Sequence, residues 1–185
     1  LNNLAKEKNK TVDIGVRLNP DIDGETLSKI STGKKTDKFG IEIDDVDKII
    51  ELVKTCKSLN LIGISCHIGS QISKIEVYKN MFNQMKKIAD KFFESGIMIK
   101  HIDLGGGFHV KYKDSDPDFN IEMVKQELDN CFAKTKYELS FEPGRYLVAE
   151  AGIIITSIIT IKNNGGIDYL IVDAGMNTLI RPAMY

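Results

Sequence analysis

"HIDLGGGF", residues 101–108, is four residues of alternating polar and apolar character that run straight into three glycines. Period-two alternation is the mark of a strand with one face against a core and the other facing something polar. Ile102 and Leu104 make the apolar face here, and His101 and Asp103 the polar one. Three glycines at the strand end mark backbone that has no room for, or no use for, a Cβ.

The same pattern recurs on either side. Val12, Ile14, Val16 and Leu18 alternate with Asp13, Gly15, Arg17 and Asn19; Ile62, Ile64 and Cys66 alternate with Gly63, Ser65 and His67; Leu139 and Phe141 alternate with Glu138, Ser140 and Glu142. Between strand starts near 12, 61, 99 and 138 lie apolar residues at helical spacing. Asp44 and Asp45 precede Val46, Ile49, Ile50, Val53 and Leu59, an acidic start that suits a helix dipole. Val77, Met81, Met85, Ile88 and Phe92 predict a second helix closed by Ser95-Gly96, and residues 119–135 a third. Strand–helix repeats of this size predict a parallel sheet with right-handed crossovers.

Central strands of an open parallel sheet, covered on both faces, read as apolar throughout. These strands keep one polar face, so the expected fold is α/β, the later half of a (β/α)8 barrel with helices over the apolar faces and a polar interior. A half-exposed sheet is the alternative. From Ile153 the texture changes to β-branched runs separated by Asn163-Asn164-Gly165-Gly166, a hairpin signal. The expected division is therefore a barrel domain over 1–151 and the start of a β-rich domain over 152–185. The opening inside helical sequence and the close on "IRPAMY" suggest a piece of something longer.

The chain has 185 residues, 42% of them hydrophobic, enough for one real core. Its 25 basic and 26 acidic residues give a net charge of −1, which offers no bulk attraction to nucleic acid or to an anionic membrane. No apolar run has the length of a membrane span, and the polar first residues do not resemble a signal peptide, so a cytoplasmic protein is expected. Cys56, Cys66 and Cys131 fit neither a disulfide framework nor zinc-ligand spacing; they read as buried thiols, and no metal is expected.

The unusual residues gather where strands end: His67-Ile-Gly-Ser70, Gly105-Gly106-Gly107 and Glu142-Pro143-Gly144-Arg145. Barrel enzymes place their active sites at that rim. Glycine amides, with Ser70 and Gly144 beside them, can converge on a phosphate, although a tight turn accounts for three glycines almost as well. The spacing is neither the dinucleotide GxGxxG nor a P-loop. Glu142 beside Arg145 reads either as a structural ion pair or as the carboxylate that meets the pyridinium nitrogen of pyridoxal phosphate. His67 reads either as a satisfied core histidine or as a flat-ring contact.

Taken in order, "RLNP" (17–20), "KISTGKKTDKFGI" (29–41), "HIGSQ" (67–71), "DLGGGF" (103–108), "EPGR" (142–145) and "DAGMNTLIRPAMY" (173–185) resemble the diaminopimelate decarboxylases. These are pyridoxal-phosphate-dependent decarboxylases of the alanine racemase-like fold. The resemblance implies pyridoxal 5'-phosphate as cofactor, a homodimer with a shared active site, and release of CO2 from meso-2,6-diaminopimelate to give L-lysine in lysine biosynthesis. It implies that His67 stacks on the cofactor ring, that Glu142 faces the pyridine nitrogen, and that Ser70, Gly106, Gly107, Pro143, Gly144 and Arg145 contact the cofactor. Arg145, Arg181 and Tyr185 match substrate-binding positions, and two arginines suit a substrate with a distal carboxylate. Thr178 stands where the family commonly has Asp. The family's Schiff-base lysine is expected upstream of Leu1 and its partner-subunit cysteine segment downstream of Tyr185, so this chain alone is expected to be inactive. Another basic amino-acid decarboxylase, acting on ornithine, arginine or carboxynorspermidine, and a non-catalytic cofactor-binding relative are the competing readings.

Overall fold

The structure is a computed structural model and describes residues 1–24, 33 and 37–180. It falls into two compact units, Leu1–Leu147 and Val148–Tyr185. The first contains α1 (Asn2–Glu7), β1 (Val12–Asn19), β2 (Ile41–Glu42), α2 (Val46–Thr55), β3 (Leu59–Ser65), α3 (Ile75–Glu94), β4 (His101–Asp103), α4 (Ile121–Phe132) and β5 (Glu138–Ser140). A short α5 (Arg145–Val148) follows, and the second unit holds β6 (Ile158–Asn164) and β7 (Ile167–Val172).

The first unit is one sheet in the order β2-β1-β3-β4-β5, parallel at every junction. Register aligns the alternation across strands. Val16, Ile64, Ile102 and Leu139 lie in one transverse row, with Ile64 and Ile102 fully buried. Their apolar side belongs to a single core that takes in Val46, Ile49 and Ile50 of α2, Tyr78, Phe82, Met85 and Phe92 of α3, and Val124 and Phe132 of α4. The helices therefore cover one face only.

The other face is polar in layers. Gly15, Gly63, His101 and Glu138 make one row, closed by a His101 Nδ1 to Glu138 Oε2 pair at 2.9 Å. Arg17, Ser65, Asp103 and Ser140 make the next. An all-parallel sheet with helices on one side and layered inward polar rows is the arrangement of a (β/α) barrel and not of a doubly wound sheet. In this chain the polar face is open to solvent: Glu138 and Ser140 are exposed.

One expectation fails at Ile62. Asn60 pairs with Asp13 and Leu61 with Ile14, but the next matched pair is Gly63 with Gly15, so Ile62 is an extra residue in the ladder. Leu61, not Ile62, shares the core face with Ile64 and Cys66, and Ile62 is half-buried. α2 is also shorter than its periodicity predicts. Asp44 and Asp45 belong to a 3₁₀ turn (Ile43–Asp45), the helix ends at Thr55, and Leu59 opens β3 instead. Of the thiols only Cys66 is fully buried; Cys56 and Cys131 are half-exposed.

α3 buries Val77, Tyr78, Met81, Phe82, Met85, Ile88, Ala89 and Phe92, a stripe at three- and four-residue spacing. It stops where the sequence predicts. Gly96 takes φ +81°, its N–H donates to Phe93 O at 2.9 Å, and Ile97 N–H donates to Phe92 O at 2.9 Å, the Schellman closure that glycine permits. In the second unit β6 and β7 form an antiparallel hairpin, with Asn164 opposite Ile167. Gly165 and Gly166, at φ +59° and +80°, make the two-residue turn that matches strand twist.

Candidate active site

The polar rows lead to a rim built from the chain that leaves β1, β3, β4 and β5. His67 lies two residues beyond Ser65, and so on the same face as Arg17. Asp103 Oδ1 accepts from Gly105 N–H at 2.8 Å, turning the chain at the end of β4. Glu142 N–H donates to Gly105 O at 2.6 Å, which ties the β5 rim to the glycines.

Each of the three glycines is bare because a neighbouring rim backbone lies against it. A Cβ on Gly105 would meet Cys66 O at 2.5 Å and His67 Nδ1 at 3.0 Å. One on Gly106 would collide with the Glu142 carbonyl, and one on Gly107 with the Gly69 carbonyl. Gly105 and Gly107 also hold φ of +67° and +84°, where a side chain is strained. The glycines therefore fuse three rim loops into one surface.

Their amides are not all turned outward. Gly106 N–H, expected at a cofactor, donates to His67 Nδ1 at 3.2 Å, and Gly105 N–H is used by Asp103. The Gly107 N–H has no acceptor among the described residues. Gly144 is exposed, and a Cβ there would meet nothing within 4 Å. Ser70, Pro143 and Arg145 are half-buried on the same loops, and Glu142 is exposed. Gly105 and Gly106 thus touch His67, Gly106 also touches Glu142 and Pro143, Gly107 adjoins the Ser70 loop through Gly69, and Gly144 and Arg145 follow directly in the chain. Arg181 and Tyr185 lie outside the described residues, as does most of the segment 29–36.

The electrostatics favour a neutral imidazole. Burial lowers the His67 pKa from its ordinary 6.5, the Arg17 charge lowers it further, and Glu142 and Asp103 act the other way. The Gly106 N–H demands the same state, because it needs a lone pair on Nδ1. Arg17, on the same polar face, has its guanidinium 5.1 Å from the Phe39 ring centroid, and its charge is felt at His67. Cys66, directly beneath His67, is pushed up to about 12 by burial and the Asp103 charge, so it is an inert thiol there.

This set fits a phosphorylated pyridine. A neutral flat ring, a carboxylate, an unspent glycine amide with a second in open space, a hydroxyl and two arginines share one rim. The apolar cavity of about 350 Å³ lined by Phe108, Val124, Leu128, Phe141 and Tyr146 does not. It lies against α4, and Lys125 and the Tyr146 hydroxyl are set there among apolar side chains, with no carboxylate or imidazole in the lining.

Known proteins resemble this chain over its full length. The sequence model of the pyridoxal-dependent decarboxylases, pyridoxal binding domain, matches residues 1–149. Diaminopimelate decarboxylase of Pseudomonas fluorescens is 40% identical over 185 residues, covering 98% of this chain and 44% of the relative; that of Aquifex aeolicus is 38% identical and covers 100% and 44%. The chain therefore spans less than half the length of these relatives. The crystal structure of diaminopimelate decarboxylase from Helicobacter pylori complexed with L-lysine superposes with a TM-score of 0.90 at 32% identity, covering 100% of this chain and 46% of that one. Lysine decarboxylase from Selenomonas ruminantium, at 24% identity and a TM-score of 0.77, shares the fold.

Proposed function

Because this chain belongs to the pyridoxal-dependent decarboxylases, we propose that the protein removes CO2 from the D-centre of meso-2,6-diaminopimelate and yields L-lysine. Identity of 35–40% to diaminopimelate decarboxylases supports this substrate over other basic amino acids. The observation that carries the reading is the meeting of neutral His67, Glu142 and the Gly105–Gly107 backbone at one strand-end rim.

Pyridoxal phosphate, when bound, supplies an electron sink for the pair left on carbon as CO2 departs. His67 offers it a flat face that adds no positive charge, held in one tautomer by the Gly106 N–H. Glu142, fixed through its backbone to Gly105, presents the carboxylate that holds a proton on the pyridine nitrogen. Ser70, Gly107 and Gly144 donate to the phosphate; Gly106 acts through His67. Pro143 keeps the Glu142 backbone rigid against Gly106. Arg145, Arg181 and Tyr185 bind substrate, the arginines gripping the distal carboxylate that the reaction leaves intact. The expected organisation is a barrel domain over 1–151, the start of a β domain from 152, a cytoplasmic location and a homodimer.

The test is direct. Full-length protein with pyridoxal phosphate and meso-diaminopimelate should release CO2 and L-lysine in equal amounts. Absence of both products, or equal turnover of ornithine or arginine, refutes the assignment.

A further inference from the structure

Gln71 follows Ser70 on the β3 rim and holds φ of +65°, a left-handed conformation that a residue with a Cβ adopts at a cost. Its side-chain amide faces the backbone of Val110. Nε2–H donates to Val110 O at 2.9 Å, and Val110 N–H donates to Oε1 at 3.0 Å. This is the pairing that two peptide groups make between strands, with a side chain standing in for one of them. One residue on, Ile72 N–H donates to Gly107 O at 2.9 Å, and Ile72 bridges Phe108 in parallel register. The β3 and β4 rims are joined at two levels, once by backbone and once by Gln71. Ser70 and Gly107 lie within that frame.

We infer that Gln71 is a positioning residue that sets the spacing between the Ser70 hydroxyl and the Gly107 amide. The inference rests on the cofactor reading above, which gives both groups to the phosphate. Donors drawn from two separate loops bind an anion well only when the loops are already spaced for it, because ordering them on binding subtracts from affinity. The pairing is chemically demanding. Asparagine is one methylene too short, and an ionised glutamate accepts from Val110 N–H but sets a second oxygen against Val110 O. A protonated glutamate restores both bonds, with its O–H donating where the amide N–H did.

That last property supplies the test. Pyridoxal phosphate affinity of the full-length protein is measured by titration across pH 5 to 8, with the phosphorus-31 resonance of the bound phosphate as a second readout. Gln71→Ala should bind about tenfold more weakly at every pH and shift the resonance. Gln71→Glu should match that deficit at pH 8 and recover toward the wild-type value at the same pH as the carboxyl protonates, whatever either variant does to thermal stability. Wild-type affinity and an unmoved resonance in both variants overturn the role of Gln71, as does a Gln71→Glu deficit that ignores pH. Failure of the wild type to bind pyridoxal phosphate refutes the cofactor reading itself, which is a separate outcome.

Discussion

Gly106→Ala puts the site geometry to its sharpest test. Unlike its neighbours, Gly106 does not hold a positive φ, so the effect of the substitution is steric. The new methyl collides with the carbonyl oxygen of Glu142, and it also meets Glu142 C at 2.8 Å and Pro143 N at 3.3 Å. These are backbone atoms, so no rotamer change relieves the contact, and the β5 rim has to retreat by about 1 Å to regain ordinary separation. Overpacking of this kind costs about 1–3 kcal/mol, which lowers the melting temperature by roughly a few degrees. The functional loss is larger, because the retreat carries the Glu142 carboxylate with it, and about 1 Å of misplacement at a reacting centre costs on the order of 100-fold in rate. Gly152→Ala is the matched control, since a methyl there meets nothing within 4 Å. The assays are thermal unfolding and steady-state decarboxylation of the full-length protein. A Gly106→Ala variant with the stability of the control and more than a third of wild-type kcat would refute the claim that the glycines are bare to let the Glu142 loop close in.

Three further outcomes follow from the same geometry. His67 has a lowered pKa, so its contribution to stability is complete above the unfolded value near 6.5 and lost as pH falls toward the lower folded value; His67→Asn should flatten the slope of unfolding free energy between pH 7 and 5, and unchanged slopes in denaturant titrations count against a buried neutral imidazole. The buried Tyr78 hydroxyl has no partner among the described residues, and burial pushes its pKa up, so Tyr78→Phe should leave the unfolding free energy unchanged or raise it by up to about 1 kcal/mol; a clear destabilisation would mean that the hydroxyl is satisfied. Arg181→Ala should abolish most turnover of meso-diaminopimelate with little effect on cofactor affinity, and unaltered kinetics would remove the distal-carboxylate assignment.

Much of this arrangement is legible in the sequence because alternation survives translation into structure. The polar faces at Arg17, Ser65, Asp103 and Ser140 line up as the periodicity predicts, and the α3 stripe and its Gly96 closure fall where the apolar spacing ends. What the sequence hides is set by neighbours in space. Ile62 continues the apolar alternation and looks like a core residue; only pairing with β1 exposes it as an insertion. Three glycines suggest an anion, whereas two of their amides are spent inside the protein and their missing side chains make way for adjoining backbone. The two-residue β2 is too short to leave a pattern, and the partnership of Gln71 with Val110, 39 residues apart, has no local signal at all.

The extra residue at Ile62 separates two requirements that a regular strand would have to meet together. Asn60 must face the polar side to reach Asp13, at 2.7 Å, and Ser65 must face it beside Arg17, yet an odd number of steps lies between them. If the same residues ran without the bulge, a strand anchored at Asn60 would turn His67 toward the helices and bring Cys66 to the rim. The bulge therefore takes up one surplus residue between the foot of β3 and its functional end, and a deletion of Ile62 would leave an even number of steps and a regular strand that still turns His67 to the site and Cys66 to the core.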